Sequence, residues 1–374
     1  MTRSERRLLQ AILTRPTAPF REHYVQAAIE ATCRRLELPV RRDRFGNVYV
    51  SLRHGRARPL AFTAHMDHPG FEVLEGGNRA RALLLGGVAP EAMQGAPVVF
   101  YADSAERRKR PPARLPDPVR GRIVDVHTRR DRGARRPQVR VDVELESAIG
   151  ADGFGHFDFP GLEVEGDLLR SKALDNLLSC VMILAAMGRL RRRRAAANVL
   201  GVFTRAEEVG FVGAGGVLRS PQLPPGRPLV VLETSKALPT HPIGKGPALR
   251  VGDRMTCFDP QMDLWLTDRA AALAKRRKRF AYQRALMTGG ACEASLYMLH
   301  GRRVGAIALP LGNYHNMTPD RGIGPEYVSA RDFENALLLL EHLAGDPPDP
   351  HVTRSRRSDL DAVFTRLSPR LETP

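Results

Sequence analysis

The 374-residue sequence predicts an α/β fold: a mixed, mostly parallel sheet flanked by helices, carrying an inserted small β-rich domain. Three observations predict it. Through the second half of the chain, short apolar runs alternate with longer segments of helical periodicity, the pattern of strands packed between helices. The stretch 70–165 departs from that pattern, with brief period-two runs between Gly, Pro and Arg clusters. Finally, four apolar, strand-like runs each stop on side chains able to bind a metal: PLAFTAHMD at His65 and Asp67, NVLGVFTRAEE at Glu207 and Glu208, PLVVLET at Glu233, and VGAIALPLGNYH at His315. In an open α/β sheet ligands collect beyond the carboxyl ends of the strands, so these residues are expected to converge on one cleft.

In chain order, SERRLLQAILTRP has apolar residues at helical spacing and ends at Pro16, and HYVQAAIEATCRRLEL predicts a second helix. RDRFGNVYVSLR predicts a hairpin or short strand, with Gly46 and Asn47 supplying the turn. PLAFTAHMD follows as a buried strand. Within 70–165, APVVFYA, RGRIVDVHT and PQVRVDVEL predict short strands of an all-β insert. GDLLRSKALDNLLSCVMILAAMGRLRRR contains a helix beginning near Asp175, with Leu177, Leu178, Val181, Met182, Leu184 and Ala185 expected to face the sheet. Then come the strand NVLGVFT, the GFVGAGGVL segment, the strand PLVVLET, a helix around 264–280, the strand VGAIALP and the helix RDFENALLLLEHLAG. The implied division is an α/β domain over 1–69 and 166–345, the β-rich insert over 70–165, and a polar, Pro-rich tail over 346–374 with one short helix.

An apolar content of 43% is enough for a sizeable core at this length. The N-terminal segment lacks the apolar region of a signal peptide, and no stretch reaches the roughly 18 apolar residues of a membrane span, so a soluble, cytoplasmic protein without a membrane partner is expected. Cys33, Cys180, Cys257 and Cys292 lie far apart with no CxxC pair, which points to reduced thiols and against a thiolate zinc site. The formal net charge of +17 would ordinarily raise nucleic acid as a partner. Of 58 Lys and Arg residues, however, only 6 are Lys, and the basic runs at 107–110, 129–136 and 191–194 lack interleaved aromatics for base stacking. Solvated faces are the expected role of these runs.

His65 and Asp67 stand two apart at a strand end and so share a face, where one can ligate a cation while the other orients the imidazole. Adjacent Glu207 and Glu208 would repel each other without an intervening cation or proton; a metal would let one bind and its neighbour act as a general base, while a solvated acidic loop stays open for the pair taken alone. Asp175, near a helix start, could be a ligand or a cap that complements the helix dipole, the cap being the commoner job of such an Asp. Glu233 and His315 are ordinary taken singly. Two imidazoles with several carboxylates suit zinc or a close relative, because these are its usual non-thiolate ligands.

Read together, AHMDHPGFEV, SKALDN, TRAEEVGFVGA, GKGPALRVGD and the late His of GNYHN, in this order, resemble the deblocking or glutamyl aminopeptidases. These are co-catalytic two-metal peptidases of a zinc exopeptidase-like fold. They include tetrahedral, self-compartmentalising aminopeptidases and proteins once labelled endoglucanases. The resemblance spans about 42–341. It implies two divalent metal ions per chain, zinc first and cobalt as the other option, with Asp175 bridging them. His65 and Glu233 complete one site, Glu208 and His315 the other, Glu207 is the general base and Asp67 the partner of His65. It further implies peptide substrates, and a homo-oligomer built from dimers, a dodecamer among the options, with the β-rich insert supporting association. The chain departs from the family at His68, where Glu is usual, at Glu233, where Asp is common, at Leu177, where Arg is frequent, and in GGACEA around Cys292. Two other readings remain open at this point: a related two-metal N-acyl amino acid deacylase or carboxypeptidase, and a non-catalytic basic binding protein on a relict hydrolase fold.

Overall fold

The structure, a computed structural model, describes residues 1–112, 114–130, 137–348 and 352–370. Its centre is an eight-stranded sheet in the order Val40–Arg42, Val48–His54, Ala197–Thr204, Leu60–His65, Leu229–Lys236, Val304–Leu311, Ala248–Asp253, Gln283–Met287. The middle four run parallel. Antiparallel pairing is confined to the hairpin edge and to Ala248–Asp253 against Val304–Leu311. Leu60–His65 and Val304–Leu311 are buried along their whole length, as parallel strands covered on both faces must be. Because four neighbours point the same way, their carboxyl ends share one rim.

One face of the sheet is covered by the helices Arg3–Leu13, His23–Arg35, Leu174–Arg192, Pro260–Arg276 and Ala330–Gly345. The other carries Val212–Leu218 and Glu293–Leu299. Thr2 starts the first helix with a reciprocal capping box to Glu5. The helix expected around 264–280 instead runs Pro260–Arg276, because Asp259 accepts from the Gln261 and Met262 amides and Pro260 suits the first turn. Leu174–Arg192 is buried not on one face but all round up to Leu190. Arg3–Leu13 and Ala330–Gly345 pack over its outer side, and Arg189 survives there by donating to Glu5 (2.8 Å) and Glu341 (2.7 Å).

The insert closes into a six-stranded antiparallel barrel: Gly70–Glu75, Gly77–Leu85, Gln138–Ile149, Val119–Arg129, Pro97–Tyr101 and Phe154–Phe157. It has its own core, including Phe71, Phe100, Ile123, Val141 and Phe157. Closure leaves no free sheet edge. Glu163–Glu165 lies outside the barrel, in a small sheet with Leu168–Ser171 and Glu326–Ser329. From residue 131 on, the basic run at 129–136 lies outside the described residues. In the tail, Val352–Leu367 forms a helix of 16 residues, longer than the short one expected. Among the described residues no helix is long and apolar enough to cross a membrane.

Candidate metal centre

The shared rim gathers the strand-end residues. His65 is the last residue of its strand, and Thr204, its parallel partner, leads directly into Glu207 and Glu208. Glu233 lies inside Leu229–Lys236, opposite Ala308. Beyond Leu311 the chain turns through three non-glycine residues with left-handed backbone, Asn313 (φ 51°), His315 (56°) and Asn316 (62°), which bring the His315 imidazole back over the rim. Asp175, at the start of its helix, makes no side-chain capping bond there. Its carboxylate instead faces both imidazoles, Oδ1 lying 3.3 Å from His65 Nε2 and Oδ2 3.5 Å from His315 Nε2. Glu233 Oε2 is 3.7 Å and Glu207 Oε2 is 4.0 Å from His65 Nε2. Glu208 Oε1 is 3.2 Å from His315 Nε2.

Asp67 is fully buried and closest to amides: its two oxygens accept from the Glu207 N–H (3.0 Å) and the Glu208 N–H (3.1 Å). His65 Nδ1 lies 3.1 Å from the Asp67 carbonyl and 3.5 Å from its carboxylate. Asp67 therefore fixes the Glu207–Glu208 turn at least as firmly as it orients His65. Two residues to which the sequence assigns no role, Glu326 and His68, do comparable work. Glu326, buried, accepts from the Asp175 amide (2.9 Å) with one oxygen and from the His315 amide (3.0 Å) with the other. His68, also buried, bonds the Asp175 carbonyl through Nδ1 and Asn316 Oδ1 (3.0 Å) through Nε2. Cys292 lines the cleft, and its amide donates to Asp253. The cleft encloses about 1020 Å³. Besides the rim residues, Arg250, Tyr314 and the barrel loop at 86–89 line it.

The charges are strongly frustrated. Burial pushes the Glu207 carboxyl well above the usual range; the pull of His65 opposes this, while Glu208, Glu233 and Asp67 add to it. Burial likewise raises Glu233. Burial opposes charge on His65, but Glu207, Asp175, Asp67 and Glu233 overcome it and hold the imidazole well above its ordinary value. His315 behaves the same way beside Glu208 and Asp175. Asp175, despite burial, is held low by the two imidazoles. Among the described residues, Asp175 Oδ1, Glu208 Oε1 and Glu233 Oε1 are buried without a hydrogen-bond donor. Buried acceptors without donors are costly, and a divalent cation is what such a set fits.

Among the described residues, two groups at the rim have ligand atoms within 4.8 Å of one another: His65, Glu207 and Glu233, and His65, Asp175 and Glu208. These residues fit metal binding by distance, burial and chemistry. The geometry leaves Glu207 close enough to ligate as well as to act as a base. A third group, Asp125, His127 and Asp142, lies exposed on the barrel, where Asp142 already pairs with Arg81 at 2.9 Å.

Residues 46–336 match the M42 glutamyl aminopeptidase family, and the chain belongs to it. A curated protein of Acetivibrio thermocellus, described as a "Putative aminopeptidase", is 30% identical over 183 residues, 47% of this chain and 51% of that protein. The chain thus matches about half the length of that curated relative. Among solved structures, a TET aminopeptidase from a marine sediment archaeon of the Thaumarchaeota superposes with a TM-score of 0.74 at 19% identity, covering 95% of this chain and 99% of that one. An aminopeptidase from Desulfurococcus kamchatkensis gives 0.72 at 21%, covering 94% and 97%. The Pyrococcus horikoshii TET1 peptidase, described as able to assemble into a tetrahedron or a large octahedral shell, gives 0.72 at 18%, covering 91% and 99%. At these identities the structural likeness speaks for the fold.

Proposed function

We propose that the chain is a two-metal aminopeptidase that removes N-terminal residues from peptides. The observation that carries this reading is Asp175: one buried carboxylate set between two imidazoles, with Glu233 on the His65 side and Glu208 on the His315 side. His65, Asp175 and Glu233 would hold one cation, and His315, Asp175 and Glu208 the other, with zinc or cobalt suited to this donor set. When bound, such a pair supplies Lewis-acid polarisation of the scissile carbonyl and a water made acidic near neutral pH.

The chain's own residues do the rest. Glu207, buried at the rim and fixed through its backbone by Asp67, takes a proton from the attacking water and returns it to the leaving amine. Asp67 and Glu326 keep the ligand-bearing turns in register. Four free cysteines are consistent with a reducing, cytoplasmic setting. A homo-oligomer in which the barrel supports association is the assembly proposed, by analogy with relatives whose solved forms are described as a dodecamer and as larger shells.

The test is hydrolysis of aminoacyl p-nitroanilides by chain freed of metal and then reloaded with zinc or cobalt. Release of p-nitroaniline only after reloading supports the reading. Cleavage of N-acyl amino acids alone would make the chain a deacylase of the related clan, and inactivity on both with no metal taken up would make it a binding protein.

A further inference from the structure

The barrel reaches into the candidate metal centre. His315 turns Nε2 toward Glu208 and Asp175, and its other ring nitrogen, Nδ1, lies 2.6 Å from the carbonyl oxygen of Gly87, in the barrel loop 86–89. A carbonyl only accepts, so Nδ1 donates to it, which leaves Nε2 as the ring nitrogen for a metal to take. The backbone of His315 is held separately, by Glu326. Main chain and ring are thus fixed by different domains.

The loop has little room to move. Gly86 has φ 113°, and a Cβ built there would come within 2.8 Å of Pro69 Cβ and 2.9 Å of Pro69 Cα, on the segment that carries His65 and Asp67. On the other side, the Ala89 N–H lies 3.3 Å from Met317 Sδ, two residues beyond His315. Met317 and Ile323 pack against the barrel core. The loop is therefore wedged between the two ligand-bearing segments.

We propose that residues 86–89 are a positioning element for His315, so that the seating of the barrel on the α/β domain sets the metal affinity of the His315 side of the centre. This rests on the two-metal reading. The test titrates zinc and cobalt into metal-free full-length chain by calorimetry, for the parent, Gly86→Ala, Met317→Ala and the control Gly95→Ala. Gly95 also has positive φ (75°) and lies between barrel strands, yet an added Cβ there meets nothing within 4 Å.

The expected result is that Gly86→Ala and Met317→Ala weaken one of two binding steps by roughly 10- to 100-fold, as loss of an outer partner of a metal-bound His does, with the other step and the control close to the parent. Parental affinity at both steps in both variants overturns the inference, as does a fall of both steps that tracks a lowered melting temperature of the metal-free chain. If Gly86→Ala does not fold, Met317→Ala decides. A parent that binds fewer than two ions defeats the two-metal reading itself and the inference with it, whereas a two-ion parent with unaltered variants defeats only the inference.

Discussion

Replacing Glu207 by Gln separates chemistry from construction of the site. The side chain is buried, and its position is set by its own backbone, whose N–H is held at 3.0 Å by Asp67, so the isosteric amide is placed as the carboxylate was. The substitution removes one negative charge from a cluster in which Glu208, Glu233 and Asp67 all repel it. Neither folding nor the other ligands therefore suffers. What is lost is the ability to accept and return a proton, worth about 100- to 10,000-fold, or roughly 2.7–5.4 kcal/mol of barrier. Steady-state hydrolysis of aminoacyl p-nitroanilides is predicted to show kcat falling by that factor, while elemental analysis of the variant still finds two metals per chain. A Glu207→Gln enzyme working at the parental rate would refute the assignment, and one that lost a metal would make Glu207 a ligand instead.

Four further outcomes are expected. Glu326→Gln places an NH₂ against a backbone N–H and breaks one of the two bonds to Asp175 and His315, so competition with a chelator is predicted to show metal affinity lowered by roughly 10- to 100-fold; unchanged affinity would contradict its positioning role. His23, buried beside Asp103 at 3.5 Å, has its pKa lowered to about 4, burial being the main cause and the carboxylate opposing it. A depressed folded pKa contributes stability that is present above the unfolded value near 6.5 and lost as pH falls through about 4, so His23→Gln is predicted to abolish about 3 kcal/mol of acid sensitivity in urea unfolding between pH 7 and 4. A variant with the parent's full pH slope would refute that. Arg189→Met, removed from between Glu5 and Glu341, is predicted to lower unfolding stability by about 3–5 kcal/mol because it leaves the buried Glu5 carboxylate without its cation while Glu341 keeps Arg193, and a change under about 1 kcal/mol would contradict this. Light scattering is predicted to give a mass several times the 41.4 kDa of one chain, and a monomeric mass would remove the proposed assembly.

What was legible in the sequence is what local chemistry encodes. His65, Glu207, Glu208, Glu233 and His315 stood out because metal-capable side chains closed apolar runs, and the parallel strands do bring them to one rim. Asp175 was ambiguous because a helix-start Asp more commonly serves as a cap; only the fold turns its carboxylate away from the helix and toward the imidazoles. Glu326 and His68 were not legible as partners of the centre, since their roles are hydrogen bonds to residues 151 and 107 positions distant. The strands Ala248–Asp253 and Gln283–Met287 escaped notice because neither is an unbroken apolar run: the first holds Arg250 and is interrupted by a bulge near Gly252, and the second, at the sheet edge, holds Gln283 and the exposed Arg284. The all-round burial of Leu174–Arg192 did leave a signal: LLSCVMILAAMG has no polar face, and a helix apolar all round belongs inside.

The central claim is that two cations share Asp175 at the rim of the sheet. Metal analysis of parent, His65→Ala and His315→Ala chains, each loaded with zinc and dialysed, tests it most directly. The account predicts two ions per parent chain and a loss of one ion in each variant. Stoichiometry that is the same in all three, whether two ions or none, would contradict it.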